Sequence, residues 1–463
     1  MATTVLSVGI LGLTPATEPI YVGVLSSLTT CYTLAIVHTD NKDLVYTSSW
    51  KEPSTPLRIT TVPDDVIKDS NVNLIINLLP FRQNEIYTIA ALRAGKHVMV
   101  RTPLSLSTHS LDQIRHACKE QHSTASESKG PRPQFFISCA RRYAPCFTDI
   151  FQKELARLEK IHYVRCRNIT GSHPTMSNSL HQSGNTASTT DINTDGPPNN
   201  SSHRESSLFH RPLPLRMHAL LADIFGPNVE STADREALCH FIGTSGSHDF
   251  SLIQECLGFP DAVSHVSIIK PFYNAMFHYK GGSAPGGANA PYTLFYEAGV
   301  DGVPRSDAHL TVYGPNKTIT FSYELDSLTP GKMGDSAVAR VIVEEFEVEA
   351  EAGDRKKQHL LNEAQMMNGR AHGDGDSRLK RTEYVNTARE VYEQEFLAVH
   401  AQLTAHIRVD TQANANARAQ NGSDNTKVRA KTSVDDALDD LKMMHMIFDH
   451  YDRQCGTIRT PLG

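Results

Sequence analysis

Residues 71–107, NVNLIINLLPFRQNEIYTIAALRAGKHVMVRTPLSLS, restrict what this chain can fold into more than any other stretch. Leu74, Ile75 and Ile76 form an unbroken apolar run that stops at Pro80, the pattern of a parallel strand buried on both faces. Ile86, Ile89, Ala90 and Leu92 then recur on one helical face, and Gly95 suits a left-handed helix end. His97 to Val100 make a second short strand, stopped by Pro103. Strand, helix and strand within about thirty residues is the size of one βαβ unit.

The N-terminus repeats the theme. Val5 to Leu13 is an apolar strand that ends at Gly12-Leu13-Thr14-Pro15-Ala16-Thr17. A nucleotide-binding βαβ unit places Gly-x-Gly-x-x-Gly here, because side chains obstruct the tight turn and the approach of a diphosphate. Only Gly12 is kept, and Pro15 has no N–H to offer. One outcome is a modified dinucleotide site in which the Thr14 or Thr17 hydroxyl and the helix N-terminus meet phosphate. The other is a turn that no longer admits a cofactor. Thr17-Glu18-Pro19 starts a helix with Ile20, Val24 and Leu28 on one face. Tyr32 to Val37 is the next strand, with His38 and Asp40 just beyond it, where a carboxylate holds the adenosine ribose in such units.

The segment Ala94-Gly95-Lys96-His97-Val98, followed by Arg101-Thr102-Pro103, resembles the AGKHVLVEKP signature of the Gfo/Idh/MocA oxidoreductases, the glucose–fructose oxidoreductase and inositol dehydrogenase family. The resemblance implies an α/β Rossmann-type dinucleotide-binding domain at residues 1–137. An α+β domain at 138–463 would follow, its mixed, largely antiparallel sheet carrying helices on one face. It implies bound NAD or NADP and a small-molecule substrate, with Pro80 and Arg101 beside the cofactor. The family's catalytic Lys aligns with Thr102, and strand alternation would turn Arg101 elsewhere. The family's Pro-x-x-x-His is Pro80 followed by Asn84, and His38 stands where its ribose carboxylate is expected. Its Asp-x-Gly-x-His appears as Thr244-Ser245-Gly246-Ser247-His248, so Gly246 and His248 match and Thr244 replaces the Asp.

His248 is the foremost catalytic candidate, since an imidazole trades a proton near neutrality. Thr102 and Thr244 complete the aligned catalytic set, and Asp249 either orients His248 or, being adjacent to it, caps or pairs elsewhere. Arg141 and Arg142, at the junction between domains, either face the cleft and attract an anionic group or form a surface or interdomain ion pair.

Later segments read as a sheet: Ile161 to Ile169, Val263 to Ile269, Phe272 to Tyr279, Tyr292 to Ala298, His309 to Tyr313, Thr318 to Tyr323 and Val338 to Phe346. Helices are expected over Tyr384 to His406 and from Ser433 onward, with the methionines of the last as core fillers. Low-complexity insertions lie near 170–207, 351–380 and 411–427, too polar to repay their ordering by burial. His173, His181 and His203 fall in the first of these.

The net charge of -6 argues against a general nucleic-acid binder. The eight cysteines include no C-x-x-C pair and read as separate reduced thiols. No stretch reads as a membrane span or signal peptide, so the expected location is the cytoplasm. A homo-oligomer joined through the second-domain sheet is also expected.

Three functions are compatible with these residues. The first is a divergent NAD(P)-dependent oxidoreductase acting on a secondary alcohol or carbonyl. The second is a non-redox lyase, isomerase or cyclase descended from a dehydrogenase. The third is a non-catalytic sensor or interaction protein on the same fold.

Overall fold

The computed structural model describes residues 4–40, 57–124, 133–171, 213–281, 290–303, 305–324, 337–346, 379–413 and 434–458. β1 (Leu6–Leu11), β2 (Tyr32–His38), β3 (Arg58–Thr60), β4 (Leu74–Asn77), β5 (His97–Arg101) and β6 (Phe135–Ser138) form a six-stranded sheet in the order β3-β2-β1-β4-β5-β6. Every pairing in it is parallel. Helices α1 (Glu18–Ser27), α2 (Pro63–Lys68), α3 (Phe81–Arg93) and α4 (Thr108–Thr124) lie between the strands in sequence. Leu74, Ile75 and Ile76 are all buried, which is why their run shows no alternation. The strand order reverses between β1 and β4, so the carboxyl ends of both open onto one crevice.

The second sheet contains β7 (Tyr163–Gly171), β8 (Ala262–Ile269), β9 (Phe272–Tyr279), β10 (Tyr292–Asp301), β11 (Ser306–Tyr313), β12 (Lys317–Tyr323), β13 (Ala337–Phe346) and β14 (Leu379–Thr387). Its order is β14-β13-β12-β11-β7-β10-β9-β8, with β7 and β10 parallel and the other pairs antiparallel. One face buries Val164, Cys166, Leu294, Tyr296, Leu310 and Phe321. They pack in one core with residues of α5 (Gln152–Ala156), α6 (Leu213–Phe225), α7 (Ala233–Phe241) and α8 (Ser247–Leu257). Alternate residues on the opposite face pair across strands, as Arg165 does with Glu297 (2.7 Å) and Arg167 with Asp307 (3.0 Å). An α/β domain with a second, mixed-sheet domain is therefore the fold that the sequence leads one to expect.

Two details differ from expectation. Tyr384 to Thr387 belong to β14, and the helix begins only at Ala388. β14 reads Leu-Lys-Arg-Thr-Glu-Tyr-Val-Asn-Thr and is mostly exposed on both faces. An edge strand of this kind has no burial to imprint alternation, and pairing with β13 supplies its order. The short β3 likewise forms inside a stretch with no strand pattern. The expected insertions lie outside the described residues except at their margins, as do His173, His181 and His203. Among the described residues, no helix is long and apolar enough to cross a membrane.

Two C-terminal helices, α9 (Ala388–Ala413) and α10 (Val434–Ile458), return to the first sheet. Phe396 of α9 is fully buried, edge-on to Tyr21 at 6.1 Å and to Tyr32 at 5.7 Å. The Tyr32 hydroxyl donates to the Phe396 carbonyl at 2.7 Å. α10 sends Val434, Ala437 and Leu441 into the core beside α4, and Met443, Met444, Ile447 and Phe448 into the second core. Both methionines are fully buried, in the filling role expected of them.

Phe396→Ala should destabilise the protein by about 3–5 kcal/mol in denaturant unfolding, the usual range for a fully buried aromatic ring. A loss under about 1 kcal/mol would mean that α9 does not depend on this seat.

Candidate functional site

The helix lining the crevice from the second domain is not a regular α-helix. α7 passes into a π-turn at Ile242–Gly246 and then into α8, one nearly continuous rod from Ala233 to Leu257. π-turns absorb an extra residue and are frequent at functional sites. Gly243 lies in that turn, where an added Cβ would stand 2.8 Å from the Phe81 ring at the start of α3. Glycine thus permits the first domain to abut the rod just after Pro80. The same turn sets the position of His248, near the start of α8.

Arg101 and His248 meet here. Arg101 is the last residue of β5, and its guanidinium Nη2 lies 3.5 Å from His248 Nε2. The expectation that strand alternation would turn Arg101 elsewhere is corrected. The strand ends at Arg101, so alternation does not hold its side chain to one face, and the long guanidinium arm reaches across to the rod. Thr102 is buried, and its N–H donates to the Ser138 carbonyl at 3.0 Å. Its hydroxyl has no hydrogen-bond partner among the described residues. Thr244 is exposed, and its hydroxyl donates back to the His240 carbonyl at 2.7 Å.

Asp249, next to His248, is fully buried and forms the hub beneath the rod. Its carboxylate pairs with the Arg141 guanidinium and accepts from the Asn168 amide (2.9 Å) and the Tyr296 (2.8 Å) and Tyr323 (3.0 Å) hydroxyls. Arg141 also stacks over the Tyr323 ring at 4.2 Å. Arg142, equally buried, pairs with Glu255 of α8 at 2.5 Å. Of the two expectations for these arginines, the ion pair is the one observed, buried in the interior and not at the surface.

The second group surrounds the first turn. Gly12 has φ +77, and an added Cβ would lie 2.9 Å from the Leu79 side chain and 3.0 Å from the Leu79 backbone nitrogen. Gly12 and the Leu79-Pro80 corner therefore touch at the point where the strand order reverses. The Gly12 N–H donates to His38 Nδ1 at 3.1 Å, and Asp40 lies 3.6 Å from Nε2. An accepting Nδ1 requires the neutral ring, and burial lowers the His38 pKa in the same direction. His38 is thereby a brace for the turn, whereas Asp40 is 89% exposed.

The fit to a dinucleotide is one of shape first. Thr14, Pro15 and Ala16 are exposed, so nothing in the turn itself covers the crevice, and the positive end of α1 lies beside it. The donors a phosphate would take are the Thr14 and Thr17 hydroxyls, now 3.0 Å apart and bonded to each other. The Thr14 N–H also donates to the Thr17 hydroxyl at 3.0 Å. The buried Glu18 contributes a carboxyl to the first turn of α1, which disfavours an anion there.

The expected residues therefore gather into two groups on neighbouring strands of one sheet. Gly12, Thr14, Thr17, His38, Asp40 and Pro80 surround the carboxyl ends of β1, β2 and β4. Arg101 and His248 meet at the end of β5 with Thr102 the next residue along, and Thr244 sits on the same rod as His248 with its hydroxyl committed to its own helix. Gly243 and Phe81 were missed by sequence reasoning; the glycine's place five residues before His248 is the signal that could have found them.

No family model and no curated protein matches the sequence. Solved structures do match along nearly the whole chain. A candidate oxidoreductase from Bacteroides fragilis is 12% identical, with 97% of this chain and 98% of that one covered and a TM-score of 0.55. The candidate oxidoreductase YvaA from Bacillus subtilis is 12% identical, with 98% of each chain covered and a TM-score of 0.54. Levoglucosan dehydrogenase, in complex with NADH and levoglucosan, is 11% identical, with 97% of this chain and 98% of that one covered and a TM-score of 0.54. At such identities the likeness is one of fold.

Asp249→Ala leaves Arg141 buried without its carboxylate and should cost about 3–5 kcal/mol of stability, read by denaturant unfolding. A loss under about 1 kcal/mol would remove Asp249 as the support of the rod.

Proposed function

We propose that the chain is a divergent oxidoreductase of the Gfo/Idh/MocA type, which binds NAD or NADP and acts on a secondary alcohol or carbonyl of a small molecule. The observation that carries this reading is the meeting of Arg101 and His248 at the carboxyl end of β5. A cation and an imidazole side by side at that sheet edge suit a reaction in which a hydroxyl proton leaves as negative charge gathers on oxygen. Sharing the fold of a dehydrogenase that holds NADH supports the reading at the level of fold.

Side-chain chemistry divides the roles. His248 takes the hydroxyl proton during oxidation and returns it during reduction. Arg101 stays charged throughout and stabilises the developing alkoxide, or polarises the carbonyl in the reverse direction. It would supply the cation that the absent lysine supplies elsewhere in the family, from one position earlier. Thr102 and Thr244 become wall residues, one buried and the other bonded to its own helix. Gly12, Thr14, Thr17, Asp40 and Pro80 would hold the dinucleotide, with His38 bracing the turn. A bound nicotinamide would supply the hydride acceptor or donor. The open face of the second sheet is the proposed surface for pairing with a second copy.

Glu18 and the closed Thr14–Thr17 pair favour a second reading. Affinity for the diphosphate would be low, and the fold would serve as a sensor without turnover or run a non-redox step with His248 alone.

Titration of NADH and NADPH, followed by nicotinamide fluorescence, separates these. Saturable binding of one is expected, and no binding of either at millimolar concentration would remove the redox reading. With a substrate in hand, His248→Ala should abolish turnover while cofactor affinity changes less than about threefold, since His248 serves the proton and not the dinucleotide. Arg101→Gln should lower kcat by about 10²–10³-fold. Thr244→Ala should leave turnover essentially unchanged; a comparable loss there would return that hydroxyl to the catalytic set.

A further inference from the structure

β14 is the outermost strand of the second sheet, and among the described residues no strand pairs with its far edge. Such an edge offers a row of N–H and C=O groups to another chain, and proteins commonly blunt one with charge or proline. β14 reads Leu379-Lys380-Arg381-Thr382-Glu383-Tyr384-Val385-Asn386-Thr387, without proline and with charges of both signs. Its pairing with β13 is regular from Leu379 to Asn386, and Leu379, Tyr384 and Val385 are all exposed.

The partners on β13 settle which face each side chain takes. Thr382 and Tyr384 stand beside Val343 and Val341, which are buried in the core under the helices. Even-numbered residues of β14 therefore share the helix-covered face. Arg381 and Glu383 take the opposite face, with Arg381 3.9 Å from Glu344 and Glu383 2.9 Å from Arg340. Their side chains stay 57% and 38% exposed, so each has room for a second partner across the edge.

The order of these residues singles out one partner. In an antiparallel pair, opposed residues turn their backbone groups both toward each other or both away. Two copies of one strand can therefore meet only with a residue on the two-fold axis. An axis at Arg381 sets Arg on Arg, and an axis at Glu383 sets Glu on Glu, both unfavourable. An axis at Thr382 sets Thr382 on itself and Arg381 on Glu383. It also sets Lys380 beside the Tyr384 ring and Leu379 beside Val385. Every pair in this register is of a favourable kind.

We propose that β14 is a homodimerisation edge, joining two copies of the chain antiparallel about Thr382 into one continuous sheet. The residues from 379 to 385 supply about six to eight main-chain hydrogen bonds, and the side-chain pairs fix the register. This contact is separate from the open face of the sheet, and it depends on neither dinucleotide binding nor turnover.

The test uses the full-length chain and a short bis-maleimide cross-linker, with wild type as the background. Thr382→Cys should give a covalent dimer, because the two side chains sit about 5 Å apart. Leu379→Cys alone should not, since it lies roughly 20 Å from its counterpart, but mixed with Val385→Cys it should. Pairing through the open face would leave Thr382 on the far side of the sheet and uncoupled. Arg381→Glu or Glu383→Arg, added to Thr382→Cys, should each lower the dimer yield about tenfold by opposing like charges twice. A mixture of those two variants should recover the yield, since acid then meets base at every charged pair.

Thr382→Cys that cross-links no better than Leu379→Cys would overturn the proposal. So would charge variants that fold and lose nothing. Should those variants not fold, a Leu379→Cys and Val385→Cys mixture that fails to cross-link would overturn the register by itself.

Discussion

The buried carboxylate of Asp249 is the constraint on which the second domain's contribution to the crevice depends. It gathers Arg141, Asn168, Tyr296 and Tyr323 from the interdomain turn and three strands onto one residue of the lining rod. Buried ion pairs add little net stability, yet breaking one by removing a single partner is costly. The consequence is positional. A rod pinned at Asp249 has little freedom to slide or turn at His248, the adjacent residue. The π-turn ahead of it and Gly243 against Phe81 bring the same rod close to α3.

On the other side of the crevice, the parallel sheet brings Gly12, His38, Pro80 and Arg101 to the carboxyl ends of neighbouring strands. At one end of the crevice Gly12 lies in the left-handed region beside an exposed Asp40, and at the other Arg101 meets His248; in the proposed reading the first holds the dinucleotide and the second handles the proton. α9 packs behind the first of these, its Phe396 against Tyr21 and Tyr32.

Much of this is legible in the sequence alone. The aliphatic run at 74–76, the helix after it and the AGKHV strand express burial patterns that no other arrangement accommodates well. Gly12 is legible because a left-handed turn leaves few alternatives. The features that stay hidden depend on partners distant in sequence. β14 is polar on both faces and exists through its pairing with β13. Arg101 defeats a reading by alternation because it is the last paired residue of its strand. The role of Asp249 needs Arg141, Asn168, Tyr296 and Tyr323 to be seen together. The bond from the Gly12 N–H to His38 is equally hidden, because only the fold brings the two together.

The central claim is that Arg101 and His248 face one bound dinucleotide and its substrate. Following the ring signals of His248 while NADH or NADPH is added to saturation tests it most directly. The account predicts shifts that saturate with the same dissociation constant as the fluorescence of the bound nicotinamide. Saturable binding that leaves those signals in place would contradict it, since the dinucleotide would then lie away from the imidazole assigned to serve it.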